Sequence, residues 1–408
     1  MFEALDTIPQ EELEARQERC RRLLASELPA AGGLMVFSRL SVYWFSGHWA
    51  NGLFWLPLEG EPVLFVRKGE ERARLESGIK SIQPFRSISE IPEKLTEMGT
   101  NLPETIAAEM TGVSWLIGRN VTERLGGYQL LSGDSVLGKA RSVKSQWELA
   151  KIRLAGQRHD LLLRERLPEN IEAGMSELEV AVQAWHEAFN LGHQGVIRMS
   201  GEGEELFLGV FSAGDSGNYP VVFSGPVGYR GVHPAVPQMG YSGKVWQEKE
   251  LLIVDTVFSL EGYHTDKCQV YFAGNSDEIA KQAREAMAFC LDVEAAVSEM
   301  LQPGRTPREI YEYCQREARR YGFEEGFMGL KGNKVPFVGH GIGLEVDEWP
   351  PLAAKFEDPL EENMVLALEP KVGIPDLGMV GVENTFRVGV TGGECLTGRN
   401  HDVICMAQ

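Results

Sequence analysis

The alternation of apolar and polar residues divides the chain into two stretches of different rhythm. Residues 11–26 carry Leu13, Cys20, Leu23 and Leu24 at helical spacing, which predicts an amphipathic surface helix. Short apolar runs follow, GLMVFS, VYWFSG, LFWLPL and EPVLFVR, each read as a strand, and then the charged run GEERARLES, read as a helix. This is a mixed α/β layout of domain size. The polar, Gly-containing run GDSVLGKARSVK lies at Gly133–Lys144, and it places a domain boundary near residue 140. The expected division is 1–140 and 141–408.

The second stretch opens with a helix predicted over Glu148–Leu163. A second helix starts at Ser176, where GMSELEVAVQAW offers a serine cap and acids in the first turn. Strands are expected from about Val196 to Phe272. Two further helices follow, SDEIAKQAREAMAFCLDVEAAVSEML and TPREIYEYCQREARRYG, before a last set of strand-like runs. The order helix, helix, strands thus occurs twice, and GMSELEVAV corresponds loosely to GRTPREIYE.

Composition narrows the possible partners. With 408 residues and 43% apolar side chains the chain can bury a normal core. Forty basic residues against 59 acidic ones give a formal charge of −19. Such a surface repels nucleic acid and anionic membranes, and no run approaches the length of a membrane span. The densely charged N-terminus has no apolar signal core. Cys20, Cys268, Cys290, Cys314, Cys395 and Cys405 are scattered without a CxxC pair, which fits reduced thiols in a cytoplasm.

Three segments carry the candidate chemistry. In LLIVDTVFSLEGYHTDKCQVYF an apolar run leads into Asp255, and Asp266 follows eleven residues later, beyond a turn at Glu261-Gly262. Carboxylates inside so apolar a hairpin are costly unless a cation neutralises them, and hard divalent ions prefer oxygen donors. In FVGHGIGLEVDEWP, His340 stands between two glycines that permit a tight turn and close approach. In MVLALEPKVGIPDLGMVGVENTF, Glu369 and Glu383 lie fourteen residues apart, one on each arm of a second hairpin. Taken singly, each segment also fits a salt bridge, a solvated strand edge or a structural histidine. Four acids and an imidazole in such positions within 129 residues point to a shared metal site.

This order of residues, Asp, Asp, HGxG, Glu-Pro, Glu-Asn, resembles the pita-bread metallopeptidases, the family of methionine aminopeptidases, Xaa-Pro aminopeptidases, prolidases and creatinase. GYHTD, GHGIGLEVDEWP, LALEPK and GVENT look most like the Xaa-Pro aminopeptidase and prolidase branch. The resemblance implies a creatinase-like N-terminal domain and a C-terminal pita-bread domain with pseudo-two-fold symmetry. It implies a homodimer that hydrolyses small peptides with two divalent ions (Mn, Co or Zn). Asp255 would hold one ion and His340 with Glu369 the other, while Asp266 and Glu383 bridge them. A bridging water would attack, with Glu369 accepting its proton.

The chain departs from that pattern around the metal set. Gln238 stands where prolidase-like enzymes carry a histidine, with His233 five residues upstream. Asp347 stands where a second accessory histidine is usual, and Asp266-Lys267-Cys268-Gln269 replaces Asp-x-Thr-Arg. Gln238, His233, Asp347 and His264 are therefore the expected substrate-binding residues. Weak turnover of ordinary proline peptides is expected, and a non-peptide small-molecule hydrolase or lyase, or a catalytically weak binding homologue, is the alternative.

Overall fold

A computed structural model describes residues 3–201 and 204–406. The chain forms two compact units, Met1–Arg141 and Ser142–Gln408.

The first unit is built on a six-stranded mixed sheet in the spatial order Ser81–Pro84, Val63–Lys68, Asn51–Pro57, Gly33–Val36, Thr105–Ala108, Gln129–Ser132. Buried Met35, Leu53, Trp55, Phe65 and Ile106 form its core. The run VYWFSG, expected as a strand, is instead the end of a helix, Arg39–Ser46. Local capping outweighs β-propensity here. The Ser38 side chain accepts from Ser41 N–H at one end, and Gly47 closes the other in the left-handed region at φ 74°. Trp44 and His48 from this segment are buried, whereas Trp49 is 40% exposed. The polar run at 133–144 also folds, as a helix over Asp134–Ser142.

In the second unit three of the four α-helices among the described residues begin where serine or threonine precedes glutamate by three. Ser145/Glu148, Ser176/Glu179 and Thr306/Glu309 each make reciprocal capping boxes at the starts of Gln146–Leu161, Glu177–Asn190 and Pro307–Tyr321, each worth about 1 kcal/mol. The fourth helix is Lys281–Met300. Two four-stranded sheets accompany these two helix pairs. One runs Ile404–Cys405, Tyr263–Phe272, Leu251–Leu260, Gly209–Ala213. The other runs Gly339–Gly341, Val365–Leu368, Asn384–Arg387, Glu394–Cys395. This is the expected architecture, a mixed α/β N-terminal domain followed by a pita-bread domain in two related halves. Within the stretch 196–272, however, the only strands among the described residues are Gly209–Ala213, Leu251–Leu260 and Tyr263–Phe272, and 219–250 is largely irregular. That segment is rich in Gly and Pro, which interrupt ladder pairing.

The long hairpin Leu251–Phe272 is almost wholly buried. Its apolar side chains, Ile253, Val254 and Phe258 among them, each contribute about 1.5–3 kcal/mol of burial. His159, fully buried, joins the first helix to both arms through Thr256 Oγ1 at 3.0 Å and Thr265 Oγ1 at 3.2 Å. No helix among the described residues is long and apolar enough to cross a membrane.

Candidate active site

Register places the two aspartates. Asp255 pairs with Cys268 and Val257 with Asp266, so Asp255 and Asp266 are diagonal neighbours on one face of the hairpin. Asp255 is the one half-buried position in an otherwise buried strand. Thr385 fixes the backbone of Asp266: Asp266 N–H donates to Thr385 Oγ1 at 2.9 Å, and that hydroxyl donates to Asp266 O at 3.0 Å. Cys268 N–H donates to Glu383 O at 3.1 Å and draws the second acid pair against the first.

His340 sits on the three-residue strand Gly339–Gly341, opposite Ala367. Both flanking glycines are required by close backbone approach. A Cβ at 339 would lie 2.2 Å from Ala367 O, and one at 341 would lie 2.3 Å from Trp349 O. His340 Nδ1 lies 3.1 Å from Gly341 O, which fits donation to that carbonyl and leaves Nε2 facing the acids. Nε2 stands 4.0 Å from Asp266 Oδ2, 3.8 Å from Glu369 Oε1 and 3.9 Å from Glu383 Oε1, beyond hydrogen-bond reach of each. Asp266, His340 and Glu383 offer donor atoms all within 4.8 Å of one another. Buried oxygen donors converging on an imidazole nitrogen suit a divalent ion.

A residue not singled out in the sequence enters the same cage. Lys371 follows Glu369-Pro370 and is fully buried. Its Nζ lies 3.0 Å from Asp255 Oδ2, 3.0 Å from Glu369 Oε2, and in contact with Glu383 Oε2. Burial alone would push this ammonium down, but Asp255, Glu383 and Glu369 hold it well above its usual value. One ammonium does not neutralise four acids. Asp266 and Glu383 are pushed well above the carboxylate range, by burial first and then by their neighbours, Asp255 and Glu369 for Asp266, Asp266 and Glu369 for Glu383. The signal that could have found Lys371 is a lysine in an apolar run beside an acid already assigned to the site.

The acids open into a cavity of about 430 Å³ walled by Phe223, Tyr229, Phe337, Trp349 and Phe356. Asp255, Asp266, His340, Glu369, Glu383 and Asp347 all line it, together with Glu204. Asp347 accepts from Ser200 N–H and Ser200 Oγ, each at 2.7 Å. Burial and the nearby Asp347 raise the Glu204 carboxyl, while burial and Glu204 push the Tyr229 hydroxyl up to about 12. Glu204, Tyr229 and Ser200 carried no signal in the sequence.

Three other expected residues do not line this cavity. Gln238 is half-buried, and His233 is exposed in a turn where its Nδ1 accepts from Ala235 N–H. His264 is fully buried, with Nδ1 3.0 Å from Gly343 O and Nε2 accepting from Arg198 N–H at 3.3 Å. Burial holds its pKa down at about 4, so it is a neutral link between the HGxG loop and residue 198.

Comparison with known proteins agrees with this arrangement. Over 373 residues, 91% of this chain and 94% of the relative, the sequence is 25% identical to the Xaa-Pro dipeptidase of Pyrococcus furiosus. The fold superimposes on dipeptidase PepE from Mycobacterium ulcerans with a TM-score of 0.78 at 20% identity, covering 99% of this chain and 100% of that one. It superimposes on the X-Pro aminopeptidase of Thermotoga maritima with a TM-score of 0.74 at 21% identity, covering 95% and 99%. Residues 16–143 match the creatinase/prolidase N-terminal domain. Because residues 150–389, which contain every acid of the cage, match metallopeptidase family M24, the chain belongs to that family and is a metal-dependent peptidase of its prolidase-like branch.

Proposed function

We propose that this peptidase cleaves Xaa-Pro bonds in short peptides, as an aminopeptidase or dipeptidase, and that it prefers substrates with a positive charge near the scissile bond. The observation that carries the reading is the meeting of the acid and imidazole cage with an aromatic cavity that Asp347 and Glu204 also line. A cavity of about 430 Å³ suits a few residues rather than a folded chain. Aromatic walls accommodate a proline ring, and these two acids attract a free amino terminus.

The donor set fits manganese, cobalt or zinc. When bound, the metal supplies a Lewis acid that lowers the pKa of an attacking water and polarises the scissile carbonyl. The chain's own groups do the rest. Glu369 takes the proton of that water and passes it to the leaving amine. His340, oriented through Nδ1, keeps Nε2 unprotonated toward the cage. Lys371 holds positive charge against Asp255, Glu369 and Glu383. Phe337 and Trp349 limit water at the reacting bond. A homodimer in the cytoplasm is the proposed setting.

The test is a panel of Xaa-Pro dipeptides, longer Xaa-Pro peptides and matched Xaa-Ala controls, with neutral and basic Xaa, offered to protein loaded with manganese, cobalt or zinc. Proline-dependent turnover is expected. Equal turnover of the Xaa-Ala controls would overturn the proline assignment.

A further inference from the structure

We infer that Lys371 is a built-in cation filling one half of the acid cage, so that this chain binds a single divalent ion, through His340, Asp266, Glu369 and Glu383, in place of the two expected from the sequence. The inference rests on the metal-dependent reading given above and refines it.

The carboxylates themselves mark the division. Glu369 and Glu383 each direct Oε2 to Lys371 Nζ and Oε1 toward His340 Nε2. Asp255 Oδ2 lies on the lysine side, 3.0 Å from Nζ, and Asp266 Oδ2 lies on the histidine side, 4.0 Å from Nε2. On the histidine side Nε2 lies 3.8–4.0 Å from Asp266, Glu369 and Glu383, and Asp266, His340 and Glu383 offer donors within 4.8 Å of one another, so these three form the nucleus of a site that contracts on an ion and draws in Glu369. Donors around one ion with bonds of roughly 2.0–2.2 Å stand roughly 3.3–3.6 Å apart in a tetrahedron. On the lysine side the ammonium sits against Asp255 and Glu383, two of the acids expected for the second ion, and against Glu369.

Lys371 is also seated as a permanent occupant. It is fully buried on the strand Lys371–Ile374, and Gly381 faces it across the hairpin. A Cβ at Gly381 would lie 2.5 Å from Pro370 O, 2.6 Å from Lys371 Cα and 2.8 Å from Lys371 Cγ, so the glycine lets the two arms close against the base of the lysine. Withdrawing the ammonium would bury it elsewhere without partners or leave Asp255 unpaired, and either is costly. With one divalent ion bound, the four acids and the lysine sum to a formal charge of −1, against −3 for the ammonium alone.

Metal content decides the matter. Protein stripped with chelator, loaded with Mn(II) and dialysed should hold one ion per chain by elemental analysis. Its electron paramagnetic resonance spectrum should be that of an isolated Mn(II). Lys371→Ala should take up a second ion and show the broadened signal of a coupled pair, and Lys371→Met, which keeps the stem without the charge, serves if the alanine variant does not fold. Two ions in the wild type would overturn the inference while leaving the metal-dependent reading intact. One ion in both wild type and variant would show that Lys371 does not exclude the second, and would overturn it too. No retained Mn(II), Co(II) or Zn(II) in the wild type would overturn both the inference and the reading beneath it.

Discussion

Asp347 and Ser200 are locked together by two hydrogen bonds of 2.7 Å, one from the serine backbone and one from its hydroxyl, where Asp347 lines the cavity. The carboxylate is thereby held in one orientation near Glu204. A fixed anion next to a reaction that builds negative charge on the carbonyl oxygen disfavours neutral substrates and favours cationic ones.

Asp347→Asn should lower kcat/KM for a basic Xaa-Pro peptide about tenfold relative to a neutral one, the worth of one charge-assisted hydrogen bond. Asp347→His should raise turnover of neutral proline peptides. Unchanged selectivity in both variants would mean that Asp347 serves only to hold Ser200.

Asp266→Ala and Glu383→Ala should each abolish metal retention, because each removes a donor from the one group among the described residues whose atoms converge within 4.8 Å. Elemental analysis after dialysis checks this. Wild-type metal content in either variant would sink the assignment of that residue.

Chelation should lower the melting temperature and added Mn(II) should restore it. The metal-free cage packs four acids around one ammonium. A ligand at a hundred times its Kd adds about 2.7 kcal/mol to the folded state, which is about 5–10 °C for a domain of this size. Superimposable melts with and without chelator would rule out metal binding coupled to folding.

His401 Nδ1 lies 2.6 Å from Glu294 Oε2. Burial opposes its charge, but Cys395 and Glu294 raise its pKa from 6.5 to about 9. A histidine raised on folding gives stability that is complete below its unfolded value and is lost as pH rises through the folded one. The pair should therefore contribute at most about 3 kcal/mol at pH 6 and little above pH 9. His401→Asn should melt well below the wild type at pH 6, with the gap closing by pH 10. A gap independent of pH would assign His401 a packing role alone.

The five residues expected as metal ligands, which the fold brings to one cavity, drew notice because most of them stand near glycine, proline or an apolar run. The helix start at Ser176 was legible from its serine cap and the acids of its first turn. The helix Arg39–Ser46 was not, since Val42, Tyr43, Trp44 and Phe45 favour strands and only Ser38 and Gly47 at its ends argue otherwise. Lys371 escaped because its part in the cage depends on Asp255 and Glu383, which the fold and not the sequence brings beside the neighbouring Glu369. Gln238 and His233 were placed by counting from Asp255, but the irregular chain between 219 and 250 does not preserve a count the way a strand does.

The bond from Cys268 N–H to Glu383 O ties the hairpin to a segment synthesised more than a hundred residues later. Lys267 adds to the tie, reaching Asn384 Oδ1 at 2.8 Å and Thr397 O at 2.7 Å. A growing chain can therefore finish its N-terminal domain, and most of the helices of its second, while still holding no complete cage. Proteolytic competence is expected only once the segment carrying Glu383 has left the ribosome. A truncated product ending before Glu383 should thus be inert, and the order of translation itself should delay the appearance of a peptidase until that segment has joined the hairpin.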